Sequence, residues 1–89
     1  MIVAIEPKRN SLAGWDISIS VNAEAKETIT GVDVLVNEFN QKSIQFARPT
    51  KAWAIELDQQ GQVPGHNVVE VQVTTSDENT NSYYREWGG

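Results

Sequence analysis

The sequence predicts an all-β fold: a sandwich of two antiparallel sheets with about seven strands, in a single domain covering residues 1–89. Three observations lead to this prediction. Apolar and polar residues alternate in several segments, which is the period of a strand with one buried face. Turn residues recur roughly every 8–12 residues, a spacing typical of β-sandwiches. The length of 89 residues is too short for two separate hydrophobic cores.

Seven segments are predicted as strands. They cover residues 2–6, 15–23, 29–37, 43–46, 53–57, 69–73 and 82–87. Pro7 and Pro49 are expected to end the first and fourth strands, because proline cannot donate a hydrogen bond to a sheet. Residues 24–27 contain helix-forming side chains, but four residues are too few to nucleate a helix, so a turn is expected there. A corner over residues 61–67 and a hairpin turn over residues 77–80 complete the connections.

Four of these strands are expected to supply the core. Their large apolar side chains occupy every second position and therefore share one face. The inward residues predicted in this way are Trp15, Ile17, Ile19, Val21, Val32, Val34, Val36, Trp53, Ile55, Leu57, Val69, Val71 and Val73. Asp33, Leu35 and Asn37 are expected to face outwards. Burial of each large side chain contributes about 1.5–3 kcal/mol, which favours the sandwich.

Composition and charge exclude several classes of function. The net charge is −5 and the basic residues are scattered, whereas a nucleic-acid partner requires Lys and Arg concentrated on one face. No apolar run approaches the roughly 18 residues needed to insert into a membrane. The first residues lack the features of a signal peptide. Cysteine is absent from the sequence, which excludes disulfides and thiolate zinc sites.

Nothing in the sequence predicts catalysis, and no catalytic residue is assigned. His66 is the single histidine, with no second histidine or cysteine to share a metal or a proton. The serines lie in strand or turn contexts, so no Ser-His-Asp arrangement can be argued. Catalytic sites require several positioned groups. The chain is therefore predicted not to be an enzyme, and no cofactor is expected.

Oxygen-bearing side chains alternate in the last hairpin turn. Asp77, Asn79 and Asn81 resemble the start of a calcium-binding loop. An EF-hand is excluded, because Ser82 stands where its sixth position requires glycine and Gly88 where its twelfth requires glutamate. Two interpretations remain for these residues: a calcium site between sandwich loops, and a polar turn without metal.

Three aromatic residues lie close together in the last strand. Alternation places Tyr83 and Trp87 on one face and Tyr84 on the other. At least one of Tyr83 and Trp87 is expected to fill the core. The other aromatic side chains could bind a sugar ring or a neighbouring domain, since flat apolar faces with polar edges suit both.

The segment from residue 29 to residue 80 resembles bacterial immunoglobulin-like modules. The matching features are Val32-x-Val34-x-Val36-Asn37, a strand from Trp53 to Leu57, a Gly65-His66-Asn67 corner, and the hairpin Asp77-Glu78-Asn79-Thr80. The chain departs from the family by lacking the glycine of that hairpin. The resemblance implies an immunoglobulin-like or fibronectin III-like sandwich, and it is far more specific for fold than for activity.

The resemblance also implies a context. Such modules occur in secreted and cell-surface proteins, so the chain is predicted to be a spacer or a protein-interaction and adhesion domain at an extracellular location. Its partners would be neighbouring domains of a parent protein or another protein. The alternative is a carbohydrate-binding module that holds polysaccharide through Tyr83, Tyr84 or Trp87.

The final Gly88-Gly89 suggests one more alternative, because ubiquitin-like modifiers and sulfur carriers also end in two glycines. These proteins require a helix of about ten residues packed across the sheet. No window of the sequence has helical periodicity. The two glycines are more simply a domain boundary or a remnant of cloning.

Overall fold

The computed structural model describes residues 1–9, 14–59 and 66–88, which form seven strands in two antiparallel sheets. The strands are β1 (Ile2–Arg9), β2 (Trp15–Asn22), β3 (Ile29–Val36), β4 (Phe39–Thr50), β5 (Ala52–Gln59), β6 (His66–Thr75) and β7 (Thr80–Gly88). One sheet has the order β1-β2-β5 and the other the order β4-β3-β6-β7. A common buried cluster lies between the sheets, so the predicted all-β sandwich is confirmed.

The described residues contain no helix, and hence none long and apolar enough to cross a bilayer. The helix that a diglycine-tailed modifier requires is therefore not found in this part of the chain. Residues 24–27 contain the expected turn. Gly89 lies outside the described residues.

The core is built on the two central strands of the four-stranded sheet. Their inward side chains form three directly opposed pairs, Val32–Val73, Val34–Val71 and Val36–Val69. All six valines are buried, as are Ile17, Ile19 and Val21 on β2 of the facing sheet. The predicted inward faces of β2, β3 and β6 are therefore confirmed.

The inward face of β5 is also confirmed, but it is less completely buried. Trp53, Ile55 and Leu57 pack against the core while remaining partly exposed. The cause is the position of β5, which pairs with β2 on one side and forms the edge of the three-stranded sheet. An edge strand has a neighbour on one side only, so its inward side chains are covered less well.

The two strands that were expected to end at proline are longer than predicted. β1 continues through Pro7 to Arg9, whose guanidinium lies 5.2 Å from the centre of the Trp15 ring on the paired strand. β4 begins at Phe39 and continues through Pro49 to Thr50. Both are edge strands, where a missing donor on the unpaired side costs little.

The place of β4 departs from one common arrangement. In constant-type immunoglobulin domains the fourth strand belongs to the sheet of the first, second and fifth. Here β4 pairs with β3, which gives one sheet of three strands and one of four. The seven strands are thus divided unequally between the two layers.

The predicted corner over residues 61–67 lies mostly outside the described residues, Pro64 and Gly65 included. Asn67 is described, and it belongs to β6 as a buried polar residue that is 2% exposed. Its Oδ1 accepts a hydrogen bond of 3.0 Å from Nδ2 of Asn37. Asn37 in turn accepts a bond of 2.9 Å from the Val68 amide. These bonds fix the β3–β4 turn to the start of β6.

Asn37 and Glu38 are the two residues between the paired Val36 and Phe39, and both have positive φ, 49° and 71°. Two positive values in a two-residue loop are typical of a type I′ hairpin, whose second position favours glycine.

We expect Glu38→Gly to raise the free energy of unfolding by about 0.5–1 kcal/mol, because glycine removes the left-handed strain and loses only part of that gain to unfolded-state entropy. Thermal denaturation measures this as an increase in Tm of a few degrees.

Asn37→Gly is the matched control at the neighbouring position. It also permits positive φ, but it removes the side-chain bonds to Asn67 and Val68, so we expect it to lower stability by about 1 kcal/mol. A lower Tm for Glu38→Gly would contradict the assignment of strain to this residue.

Candidate functional site

The three aromatic residues of the last strand differ in exposure and in the face of the sheet to which they point. Trp87 is 8% exposed and belongs to the core, and Tyr83 is partly buried against it. Tyr84 points to the opposite face of the sheet and is 62% exposed. The expected core role of Trp87 is therefore confirmed, and Tyr84 is the most exposed of the three aromatic side chains.

Tyr84 lies in a row that crosses three strands of the four-stranded sheet. In the strand register Leu35 on β3 is opposite Glu70 on β6, and Glu70 is opposite Tyr84 on β7. The Tyr84 hydroxyl donates a hydrogen bond of 3.3 Å to Oε2 of Glu70. Gln72 donates a second bond of 2.8 Å to the same oxygen. Glu70 is thus held in a fixed orientation between an aromatic ring and an amide.

A shallow groove of about 470 Å³ surrounds this row. We call it the Tyr84 groove; the residues that line it are Leu35, Asn37, Glu38, His66, Val68, Glu70 and Tyr84. Leu35 and Val68 give it an apolar floor, while Glu70 and Asn37 supply oxygen acceptors and an amide. An apolar surface with a few fixed polar groups is the usual composition of a small-molecule site.

His66 lies at one end of the groove, where its Nε2 is 3.4 Å from Oε1 of Glu86. Both side chains are about two-thirds exposed, so the pair is a solvated surface contact. In the described ranges, no group of three or more His, Cys, Asp or Glu side chains is placed to hold a metal ion.

Sequence reasoning identified Tyr84 but missed its neighbours Leu35, Val68 and Glu70 as parts of one surface. The alternation correctly placed Leu35 outwards. Its meeting with Glu70 and Tyr84 depends on the pairing of β3 with β6, two strands far apart in sequence. The Glu70–Tyr84 contact alone could have been found by counting outwards from the hairpin turn, which sets the register of β6 and β7.

The proposed calcium ligands lie at the other end of the molecule. The Asp77 carboxylate accepts hydrogen bonds from the Thr75 hydroxyl, from the Asn79 amide at 3.4 Å, and from Asn79 Nδ2 at 2.9 Å. Asn81 lies beyond the turn, in β7 opposite Val73. Both carboxylate oxygens of Asp77 accept bonds within the turn. Within the turn these bonds form the network of a polar hairpin turn, and the calcium interpretation stays a prediction.

Other polar groups at this end also bind one another. The Lys51 ammonium donates to the carbonyl oxygens of Glu24, Ala25 and Glu27, at 3.2, 2.9 and 2.5 Å. The Met1 amino group lies 2.7 Å from Oε1 of Glu24 and 3.1 Å from that of Glu27. These contacts, with Glu24 contributing most, raise the pKa of the amino group. The hydrogen bond that the Met1 amino group donates to Glu27 is the main cause that lowers the pKa of Glu27. The Lys51 ammonium and the Met1 amino group thus hold the β2–β3 turn in place through hydrogen bonds.

Asp77 gives this end a dependence on pH. Its hydrogen bond from Thr75, followed by the Asn79 amide, lowers the pKa of the carboxyl from its ordinary value of 3.8. A carboxyl with a lowered folded-state pKa stabilises the fold above the unfolded-state pKa and loses that contribution as pH falls through the folded-state pKa. We therefore expect Asp77→Asn to lower Tm at pH 7, and to lower it progressively less as the pH falls below 3.8, measured by thermal denaturation from neutral to acidic pH.

The control is Glu78→Gln, which removes a neighbouring carboxylate from the same turn while leaving the Asp77 bonds in place. Its Tm should follow that of the unmodified chain from neutral to acidic pH. An Asp77→Asn variant whose Tm difference stays constant down to pH 2 would show that the carboxylate charge does not contribute.

Comparison of the chain with models of protein families, with curated proteins and with solved structures found no match. The resemblance to bacterial immunoglobulin-like modules therefore stays a prediction. The sandwich itself rests on the strand pairing and the buried core described above.

Proposed function

We propose that the chain is a non-catalytic immunoglobulin-like module that acts as a spacer or protein-interaction and adhesion domain within a larger secreted or cell-surface protein. One observation supports this proposal most: the first strand begins, and the last strand ends, at opposite ends of the long axis of the sandwich. Ile2 pairs with Asn22 at one end, which we call the Met1 end. Gly88 pairs with His66 at the other, the Gly88 end. The backbone extends 40 Å along this axis and about 20 Å across it.

Such an arrangement suits a module that holds its neighbours apart. A chain that enters at one end and leaves at the other advances by a full module length with each copy. β1 and β7 also contact each other across the sandwich, although they belong to different sheets. Tension between the two ends would act along both strands, so that many ladder hydrogen bonds would bear the load together.

The pairing of these two strands supports the same role. β1 is matched to β2 along its whole length of 8 residues, and β7 is matched to β6 along its length of 9 residues. Neither ladder contains a register shift. Continuous pairing lets each terminal strand resist sliding without a weak point at which it could detach.

Two copies joined end to end test the spacer role. We expect a tandem protein with a short linker to have a maximum dimension about 40 Å greater than that of one copy, as measured by small-angle X-ray scattering. A tandem with a long Gly/Ser linker is the control, because its copies are free to adopt many relative positions. Copies that fold back side by side despite the short linker would contradict the proposal.

The second candidate function is carbohydrate binding, and the Tyr84 groove is the observation that favours it. An exposed tyrosine ring beside a fixed carboxylate can stack on a sugar ring and accept bonds from its hydroxyl groups. If the groove binds polysaccharide, the migration of the chain should be slowed in gels that contain the polysaccharide. Tyr84→Ala should then lower the binding affinity about tenfold, a loss of about 1.4 kcal/mol of binding free energy.

Phe39→Ala is the matched control for this test. Phe39 is an aromatic residue that is 74% exposed, but it is not among the residues lining the Tyr84 groove. Retardation reduced equally by both variants would indicate non-specific aromatic binding. Mobility that is the same in every polysaccharide gel would remove the carbohydrate-binding candidate and leave the spacer.

A further inference from the structure

The unequal division of strands leaves one side of the sandwich incomplete. At the other side β1 and β7 contact each other, so the two sheets are aligned there. The four-stranded sheet must then extend one strand further at the opposite side, where β4 lies. β5 is the last strand of the facing sheet on that side. The inner face of β4 therefore has no described strand directly across from it.

The burial of side chains agrees with this geometry. Ile44 and Phe46 on β4 and Trp53, Ile55 and Leu57 on β5 all pack against the core yet remain partly exposed. The neighbouring inward residues of β3 and β2 are buried. Five large apolar side chains thus line a slot along the β4–β5 side, and we call this the β5 slot.

The backbone of β5 is suited to accept another strand. Sheet edges in natural proteins are usually protected by proline, by bulges or by inward-pointing charges. β1 has Pro7, β4 has Pro49 and two breaks in register with β3, and β7 has Arg85 on its inward-facing side. β5 has none of these, and its 8 residues pair with β2 without a shift.

The outer face beside β5 indicates which side chains an added strand would carry. Glu56 lies in a row with Ser18 and Glu6, and the adjoining row contains Asp58, Asp16 and Lys8. Four carboxylates against one ammonium give this surface a negative charge. An added strand would therefore be favoured by Lys or Arg at its outward positions and by apolar side chains at its inward positions.

We propose that the β5 slot binds an extended segment of a partner protein in which apolar residues alternate with Lys or Arg. The segment pairs with the edge of β5 that no described strand occupies, becomes the fourth strand of the smaller sheet, and covers Ile44 and Phe46 with its apolar side. Main-chain hydrogen bonds to β5 supply affinity, and the alternating side chains supply specificity.

A second copy of the chain does not fit this slot. If β5 paired with β5 of another sandwich, the overhanging β4 of each copy would occupy the space beneath the new strand pair. The β5 slot can therefore accept only an extended segment that carries no second sheet on its inward side. The inference deepens the interaction role of the proposed function and rests on it for its biological meaning.

A synthetic peptide of eight residues that alternates valine with lysine tests the proposal. We expect it to bind the intact chain, and the amide groups on the free edge of β5 to become protected from hydrogen exchange while those of β1 do not change. A peptide that alternates valine with glutamate should bind about tenfold more weakly, because it loses the charge match. A peptide with valine and lysine in separate blocks should also bind about tenfold more weakly, because it loses the period-two pattern.

Glu56→Lys and Glu6→Lys form a matched pair of variants. Both residues are exposed, lie in the same row and change the net charge equally, but only Glu56 lies on β5. We expect Glu56→Lys to weaken the lysine peptide about tenfold and to strengthen the glutamate peptide, and Glu6→Lys to change either by less than about threefold. Circular dichroism checks that both variants fold.

Several outcomes would overturn the proposal. They are absence of binding at millimolar peptide, protection at β1 instead of β5, equal effects of the two lysine variants, and protection of β5 that rises with chain concentration without peptide. The last outcome would indicate self-association. None of them would alter the length of the tandem protein, so a failure here is distinguishable from a failure of the spacer role.

Discussion

The pairing of β3 with β6 is the interaction on which the rest of the structure depends. These strands are separated by β4 and β5 in sequence, yet they place three pairs of valines directly opposite one another in the middle of the larger sheet. Opposed β-branched pairs stabilise a sheet beyond their burial, and each buried valine contributes about 1.5 kcal/mol or more. The isoleucines and valine of β2 pack against this surface from the other layer. Every other strand is added to one of these three.

The unequal layers connect the two functional proposals. Four strands facing three align well on the side where β1 and β7 meet, and these are the strands through which the chain enters and leaves. On the opposite side, beside β4 and β5, the smaller sheet has no fourth strand among the described residues. The module would therefore transmit tension along the side where β1 and β7 meet and bind a partner along the β4–β5 side. The two roles would then use different residues.

The sequence predicted the faces of the strands better than their lengths. Alternation placed Val34, Val71 and Ile19 inwards, because the side-chain period of a strand is a local property. The ends of β1 and β4 were wrong because the tolerance for Pro7 and Pro49 depends on which strands lie at a sheet edge, and sequence alone does not show this. The same holds for Trp53 and Leu57, whose inward direction was correct but whose partial exposure reflects the position of β5.

In the candidate sites, too, features set by residues close in sequence could be predicted, whereas features set by distant strand pairing could not. The polar hairpin turn was one of two interpretations left open by Asp77, Asn79 and Asn81. The bonds from Thr75 and Asn79 to Asp77 are those of such a turn, and the calcium site stays a prediction. The Tyr84 groove needs Leu35 from a strand outside that hairpin, so no local pattern predicts it. The β5 slot is even harder to predict from the sequence, since it exists only because β4 joins the larger sheet.

Native-state hydrogen exchange measured residue by residue tests most directly whether β3 and β6 organise the fold. If they do, the slowest amides lie between the opposed valines of these strands and exchange only through global unfolding, while amides of β4 and β5 exchange through smaller openings. Slowest exchange in the β1–β2 ladder, with β3 and β6 opening at lower free energy, would contradict the account.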